Sequence, residues 1–372
     1  MQKSYIWSIP TRVFHWLFVG FILLAFISAD EDRLLNYHAI IGYAILILLA
    51  FRLIWGIFGP KYSRFKDFPM SMKSIKEFQE NILNTNQKFI GHNPIASYVM
   101  IGMFITVFII ILTGALTLGI QEGKGVFSYL NSSFFKEMEL FESLHELFAT
   151  CLILLIVAHL GGILFDKIFH GKHETLNSIF NGFKKTKEKE IIKLNIYQKI
   201  IAFIFLIIFI GFLVFNLLQP KNILVASSYK STYYEQHNEL FVSECAACHT
   251  LYPPNLLPKR SWIKLMSDLE NHFGDDASLE KEDYSLILSF LVENSAETST
   301  MEASVKILDS IKNKDIIAIS QTIFWKKRHN EIDSSIFEDN KIKSKANCKA
   351  CHTDIEKGLI EDENIKNIND FM

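Results

Sequence analysis

Two pentapeptides, Cys245-Ala-Ala-Cys-His249 and Cys348-Lys-Ala-Cys-His352, place two thiols and an imidazole at one repeated spacing. A two-residue spacer between cysteines also serves disulfides, redox dithiols and zinc sites. The histidine directly after the second cysteine separates these chemistries. In C-x-x-C-H both thiols join the vinyl groups of a haem, and the imidazole becomes an axial ligand of its iron. Cys245, Cys248, Cys348 and Cys351 are therefore expected to hold two covalent c-type haems, with His249 and His352 as proximal ligands. Cys151, the fifth cysteine, lies in an apolar run and is read as packing.

A six-coordinate iron needs a second ligand. Trp262, Leu265, Leu269 and His272 recur at spacings of 3, 4 and 3, so His272 is expected on the apolar stripe of a helix; Trp325, His329 and Ile332 repeat the arrangement. On such a stripe a histidine serves equally as a hydrogen-bonded core residue. Each motif nevertheless has one such histidine about 20 residues away. Met266, Met301 and His237 compete for the same role, Met266 because it shares the expected helix with His272.

These motifs close a chain whose first two thirds are oily. Of 372 residues, 49% are hydrophobic and 13% aromatic, and the mean hydropathy is positive. The apolar residues gather in five runs, at residues 13–29, 38–58, 96–119, 144–165 and 197–217. At 1.5 Å per helical residue, each run suffices for a hydrocarbon core of about 30 Å. The net charge of -2 conceals an asymmetry, with 20 Lys and Arg against 15 Asp and Glu up to residue 217, then 18 against 25. The first run lacks a small-residue cleavage site and four more runs follow it, so it is read as a retained helix.

Basic residues crowd alternate loops: Lys3 and Arg12 before the first run; Arg52, Lys61, Arg64, Lys66, Lys73, Lys76 and Lys88 at the end of the second or before the third; and Lys167, Lys172, Lys184, Lys185, Lys187, Lys189 and Lys193 between the fourth and fifth. The connection Asp30-Glu-Asp-Arg33 is acidic, and residues 120–140 are mixed. The positive-inside rule places the N-terminus in the cytoplasm and everything after about residue 218 outside. That outer placement agrees with the haem motifs. The expected architecture is all-α: a transmembrane di-haem bundle of four helices over 1–175, a linker and fifth transmembrane helix over 176–220, and a mostly helical periplasmic domain over 221–372.

An ionisable residue inside a span is a functional hypothesis by default. His15, His38, His145 and His159 occupy spans or their ends. The 14 residues from His145 to His159 give about 21 Å of rise with little net rotation, so both rings face one side near opposite membrane faces. Depth alone pairs His38 with His145 near the outer face and His15 with His159 near the inner face. Two imidazoles from different helices are what haem iron needs, although inter-helix hydrogen bonds would also satisfy such rings. Arg12 and Arg52 fall near the inner face, as propionate partners or simply as positive-inside residues. His92, His170 and His173 are expected as cytoplasmic surface or headgroup residues, with His92 a candidate contributor to an inner quinone site.

Trp7-Ser-Ile-Pro-Thr-Arg-Val-Phe-His-Trp16, His38-Ala-Ile-Ile-Gly-Tyr43, Arg52-Leu-Ile-Trp-Gly56, Gly91-His-Asn-Pro94, Thr113-Gly114 and His145-Glu146 with His159 resemble, in order and spacing, the bacterial cytochrome b561 family, which includes the b-type cytochrome subunits of nickel-iron hydrogenases. Over residues 3–175 the resemblance implies a four-helix bundle holding two non-covalent b haems between the histidine pairs, and exchange of electrons with quinone. Cys245 to His249, Leu257-Pro-Lys-Arg-Ser-Trp262, His272 to Leu279, Trp325, His329 and Asn347 to His352 resemble the small di-haem cytochrome c domain over residues 235–360. That resemblance implies pairing of His249 with His272 and of His352 with His329, while the sequence leaves an exchange of distal ligands open.

Together these features describe an electron-transfer chain between the quinone pool and a periplasmic cytochrome, reductase or dehydrogenase. Quinol oxidation with outward flow is the first expectation, and any enzymatic character would be quinol:cytochrome oxidoreduction. Inward flow from a dehydrogenase or hydrogenase is the second. A gas- or oxygen-binding sensor is the third, should one c haem lack a distal ligand. Membrane lipid is an expected partner and nucleic acid is not; self-association stays open. No catalytic nucleophile or phosphate-binding glycine loop is evident. The acidic Glu361-Asp-Glu363 reads most simply as a solvated end, or else as attraction for a basic partner.

Overall fold

The computed structural model describes residues 2–29, 31–83, 89–132, 134, 139–311 and 316–366; Asp30 and Lys88, counted above among the loop charges, lie outside the described residues. The chain forms two compact units: Met1–Glu31, Tyr37–Leu116 and Leu140–Val225 make the first, and Asp32–Asn36, Thr117–Glu139 and Ala226–Met372 the second.

In the first unit the strand β1 (Gln2–Tyr5) leads into α1 (Ile9–Ile27), which opens with Pro10 where a missing N–H goes unneeded. There follow α2 (Leu35–Phe58), the short α3 (Met72–Glu80), α4 (Pro94–Ile120), α5 (Leu140–His170), α6 (Thr175–Asn181), β2 (Phe183–Thr186) and α7 (Ile196–Leu218). A capping box of Asn195 and Gln198 starts α7. Five of these helices are long and apolar enough to cross a bilayer. Most run past the apolar stretches that announce them, because polar residues at a helix end need water or headgroups but no change of backbone. Thus α5 spans 140–170, against the expected 144–165.

The core of this unit centres on α2, whose Ile45, Leu48, Leu49, Phe51 and Trp55 are buried against Phe14 and Phe18 of α1, Phe104 and Val107 of α4, Leu152 of α5 and Phe209 of α7. The fifth long helix is thus part of the bundle: Phe209 meets Phe21 at 5.3 Å and Phe205 meets Phe51 at 5.4 Å. Exposed Leu154, Val157, Leu160 and Leu164 on α5 suit lipid contact.

One end of the unit, here the basic end, is closed by the two strands, paired antiparallel with Ser4 opposite Lys184 and Tyr5 opposite Phe183. Gly182 leads into β2 at φ 85; a Cβ there would lie 2.5 Å from the Tyr5 ring. Trp55 Nε1 donates to Thr11 Oγ1 at 2.9 Å, Trp7 Nε1 to Ser178 Oγ at 3.1 Å, and Gln198 Nε2 to the Phe58 carbonyl at 3.0 Å. This cover corrects one expectation. His170 and His173, read as surface residues, are 1% and 6% exposed, and His92 packs between Trp7 and Phe68 at 5.0 Å from each ring. His170 ends α5 and His173 closes the turn after it, with its Nδ1 3.1 Å from the Lys185 carbonyl of β2.

The second unit is built from short helices: α8 (Tyr234–His237), α9 (Glu239–Cys245), α10 (Lys259–Met266), α11 (Lys281–Glu293), α12 (Glu302–Ile311) and α13 (Ile323–Arg328). Phe241, Leu257, Trp262, Ile287, Leu291 and Ile307 form its core. Two segments distant in sequence complete it. Residues 123–125 pair with 226–228, Gly125 N donating to the Ala226 carbonyl at 3.0 Å and Ser228 N to the Gly123 carbonyl at 2.8 Å. The acidic end is also different from its expected solvated state. Glu361 is 9% exposed and bonds Lys124 at 2.7 Å, because a lysine buried on the 117–139 segment needs an anion.

Candidate haem-ligand histidines

Each histidine of the pair His38 and His145 is oriented by a backbone carbonyl. His38 Nδ1 lies 3.1 Å from the Ala25 carbonyl on α1, and His145 Nδ1 lies 2.9 Å from the Ile110 carbonyl on α4. A donor proton on Nδ1 leaves Nε2 as the metal-binding nitrogen. The ring centres are 6.1 Å apart. A metal held between two opposed imidazoles by bonds of about 2 Å would set ring centres roughly 6 Å apart. Gly114 makes room for this arrangement, since a Cβ there would meet the His145 ring at 2.8 Å.

At the basic end His15 and His159 come within electrostatic reach of one another, and both lie within reach of His92. His15 Nδ1, His92 Nδ1, Arg12 Nε and Arg52 Nη1 are buried without a hydrogen-bond partner. Arg52 is 4% exposed, deeper than a headgroup-facing residue would be. Arg12 is half-buried and donates through Nη1 to the Phe180 carbonyl. It lines a groove of about 370 Å³ with Ile9, Val13, Trp16, Leu17 and Phe180.

In the second unit the rings of His249 and His272 lie 6.1 Å apart, inclined by 20°, and those of His329 and His352 also 6.1 Å apart, inclined by 60°. His249 Nδ1 is 2.7 Å from the Thr250 carbonyl and His329 Nδ1 is 2.8 Å from the Trp325 carbonyl. The Trp325 ring stacks on His329 at 4.3 Å. Burial lowers the basicity of His272, His329 and His352, the last to about 4, which favours the neutral imidazole that a metal would need. Burial also raises the Cys245 thiol to about 12 and the Cys348 thiol to about 11. Cys245, Cys248, Cys348 and Cys351 are free of disulfides.

The route by which His272 reaches His249 differs from the expected one. The helix α10 ends at Met266, and Ser267 and Asp268 give way to a 3-10 turn at Leu269–Asn271. His272 follows it, with Phe273 and Gly274 at φ 53 and 102. Serine and aspartate favour turns over helix interiors, which ends the stripe early. Met266 is 4% exposed in the apolar core, His237 is exposed and bonded to the Tyr233 carbonyl, and Met301 Sδ accepts from Asn255. The carbonyls that orient the rings and the burial of Lys184 left no signal in the sequence, whereas Trp325 was placed there on the stripe of His329 and its stacking was not.

Family models match on both sides of this division: prokaryotic cytochrome b561 over residues 6–182 and dihaem cytochrome c over residues 241–360. The dihaem cytochrome c from Rhodobacter sphaeroides is 39% identical, with coverage of 35% of this chain and 99% of that one and a TM-score of 0.31. The dihaem c-type cytochrome from Shewanella baltica is 32% identical, with coverage of 36% and 93% and a TM-score of 0.29. No curated protein matches the chain. The chain is a prokaryotic cytochrome b561 joined to a dihaem cytochrome c, and hence a haem-bearing membrane protein of electron transfer.

Proposed function

We propose that the chain carries electrons out of the quinol pool, through two b haems and two c haems, to a redox partner in the periplasm. The recurrence of one 6.1 Å ring spacing, in His38 with His145, His249 with His272 and His329 with His352, carries this reading. His15 and His159, brought within electrostatic reach, supply the fourth pair. Each haem supplies an iron that takes up and releases one electron at a time. The protein's own part is to hold neutral imidazoles in place, keep water from the iron and set potentials by burial and nearby charge.

The basic end faces the cytoplasm of a bacterial inner membrane, by the distribution of lysine and arginine, and the second unit lies in the periplasm. The groove beside Arg12 supports entry of a quinone ring next to α1: its lining is mostly apolar, and Trp16 touches the His15 ring edge-on at 5.1 Å. Paired histidines in the second unit favour electron transfer over gas binding, because His249 with His272 and His352 with His329 would between them occupy the positions that a diatomic ligand needs.

Anaerobic mixing of oxidised protein with a reduced quinol tests the reading, with the b and c absorption bands followed in time. The b bands should be reduced first and the c bands after them. Reduction of neither, together with electrons passing from reduced c haems to the b haems and then to oxidised quinone, would reverse the direction. A strong carbon monoxide shift in the unmodified protein would favour the sensor.

A further inference from the structure

Two cations are buried at the basic end, and among the described residues Asp166 is the one carboxylate that acts on Lys184. Arg52, 4% exposed, lies over the rings of Phe65 at 4.7 Å, Phe104 at 5.4 Å and Phe68 at 5.9 Å, and its Nη1 has no partner. Lys184 is 5% exposed. Alternation along β2 sends Lys184 and Thr186 to the buried face while Lys185 points out and bonds Glu174 at 2.6 Å. An inward lysine can simply protect a short ribbon from pairing with another edge. Its surroundings say more. Burial lowers the basicity of Lys184, and the carboxylate that opposes this effect, Asp166, also faces His170 at 3.5 Å. His92 packs on Phe68, over which Arg52 lies, and on Trp7, whose backbone N–H donates at 3.1 Å to the carbonyl of Gly182, two residues before Lys184; His15 and His159 also act on its ring. One neighbourhood therefore contains two buried cations, an unpartnered ring nitrogen and the histidine pair assigned above to the inner haem. A buried cation is costly unless anions face it, so carboxylates brought by a bound group would stabilise this end.

We propose that Lys184 and Arg52 form a carboxylate pocket for the two propionates of the haem held by His15 and His159. The inference rests on that ligand assignment and adds to it a residue outside the matched cytochrome b561 region, which ends at residue 182. Two cations meet two carboxylates, which gives the ribbon a purpose: pairing of β2 with β1 delivers a buried lysine from outside the long helices. A positive charge beside the propionates also favours the reduced iron, so Lys184 positions the haem and raises its potential.

The test is a redox titration of full-length holoprotein carrying Lys184→Gln, Lys184→Arg or Lys185→Gln. Lys184→Gln should lower the midpoint of one b haem by about 59 mV, a tenfold weaker reduction equilibrium. The other b haem and both c haems should stay unchanged, Lys184→Arg should restore most of the loss, and Lys185→Gln should change nothing. Four unchanged midpoints in Lys184→Gln would overturn the proposal, as would an equal shift in Lys185→Gln. If Lys184→Gln loses that b haem, Lys184→Arg decides: retention supports a charge requirement, and loss overturns it. Finding a single b haem in the unmodified protein would instead refute the ligand assignment on which the proposal stands.

Discussion

The two units set imidazole rings at the same spacing by opposite means. In the first, His38 and His145 come from different helices and are aimed by carbonyls of two others, at Ala25 and Ile110. In the second, His249 and His352 sit next to the cysteines that would bind the same haem, and their partners arrive on a short turn and at the end of a six-residue helix. A covalently attached group tolerates small helices and loose turns, because two thioether bonds already fix its position. A non-covalent haem depends on its ligands and on the helix packing that orients them. The charges differ as well. The first unit buries Arg52 and Lys184 with few anions, whereas the second pairs Lys124 with Glu361 and Arg328 with Glu302 at 3.1 Å.

The comparison breaks most easily at the ligands. His159→Ala should remove one b haem, halving the b-haem content by pyridine haemochrome assay, while both c haems stay attached. Retention of both b haems would end the pairing with His15. His272→Ala should have a different consequence, because the thioethers remain: one c haem stays bound but gains an open coordination site and a carbon monoxide shift. An unchanged response would hand the distal role to Met266 or His237.

What could be read from sequence follows the same divide. The Cys-x-x-Cys-His units are legible because their chemistry demands neighbouring residues, and the spans because bilayer thickness sets their length. The approach of His38 to His145 was legible because helix rise serves as a ruler across a membrane of known depth, and the same ruler is what proposes His15 with His159. The position of His272 was not, since it depends on where α10 stops rather than on periodicity. Lys184 looks like any headgroup lysine until pairing of β2 with β1 turns it to the buried face, and Glu361 looks solvated until Lys124, more than 200 residues earlier, meets it. Tertiary pairing of charges leaves no local trace.

A smaller effect is expected from Gly114→Ala. The added Cβ would lie 2.8 Å from the His145 ring, which must move away from Ile110. Overpacking of this kind costs roughly 1–3 kcal/mol. The variant should retain the b haem proposed between His38 and His145 more weakly, measurable as faster transfer of that haem to apomyoglobin, with the c haems unaffected. If retention is unchanged, α4 is not the support that the comparison makes it.

The smallest effect separates the charge logic of the two units. Asp362 is pushed up to about 7, first by burial and then by Asp32 and Glu302, against the pull of Lys124 and Arg328. A carboxyl whose folded value exceeds its ordinary 3.8 binds its proton more tightly in the folded state. Its contribution to stability is therefore present below about pH 4 and lost as pH rises through about 7. Asp362→Asn, which cannot ionise, should match the unmodified protein at the acid end and exceed it above neutrality by on the order of 2 kcal/mol, allowing for neighbouring charges. Thermal unfolding of the second unit, followed through the c-haem band at several pH values, measures that difference. A gap that grows with pH marks Asp362 as the surplus carboxylate of an otherwise paired cluster. A gap independent of pH would mean that Lys124 and Arg328 already keep it ionised, and that the second unit balances its buried charge completely where the first must wait for its cofactor.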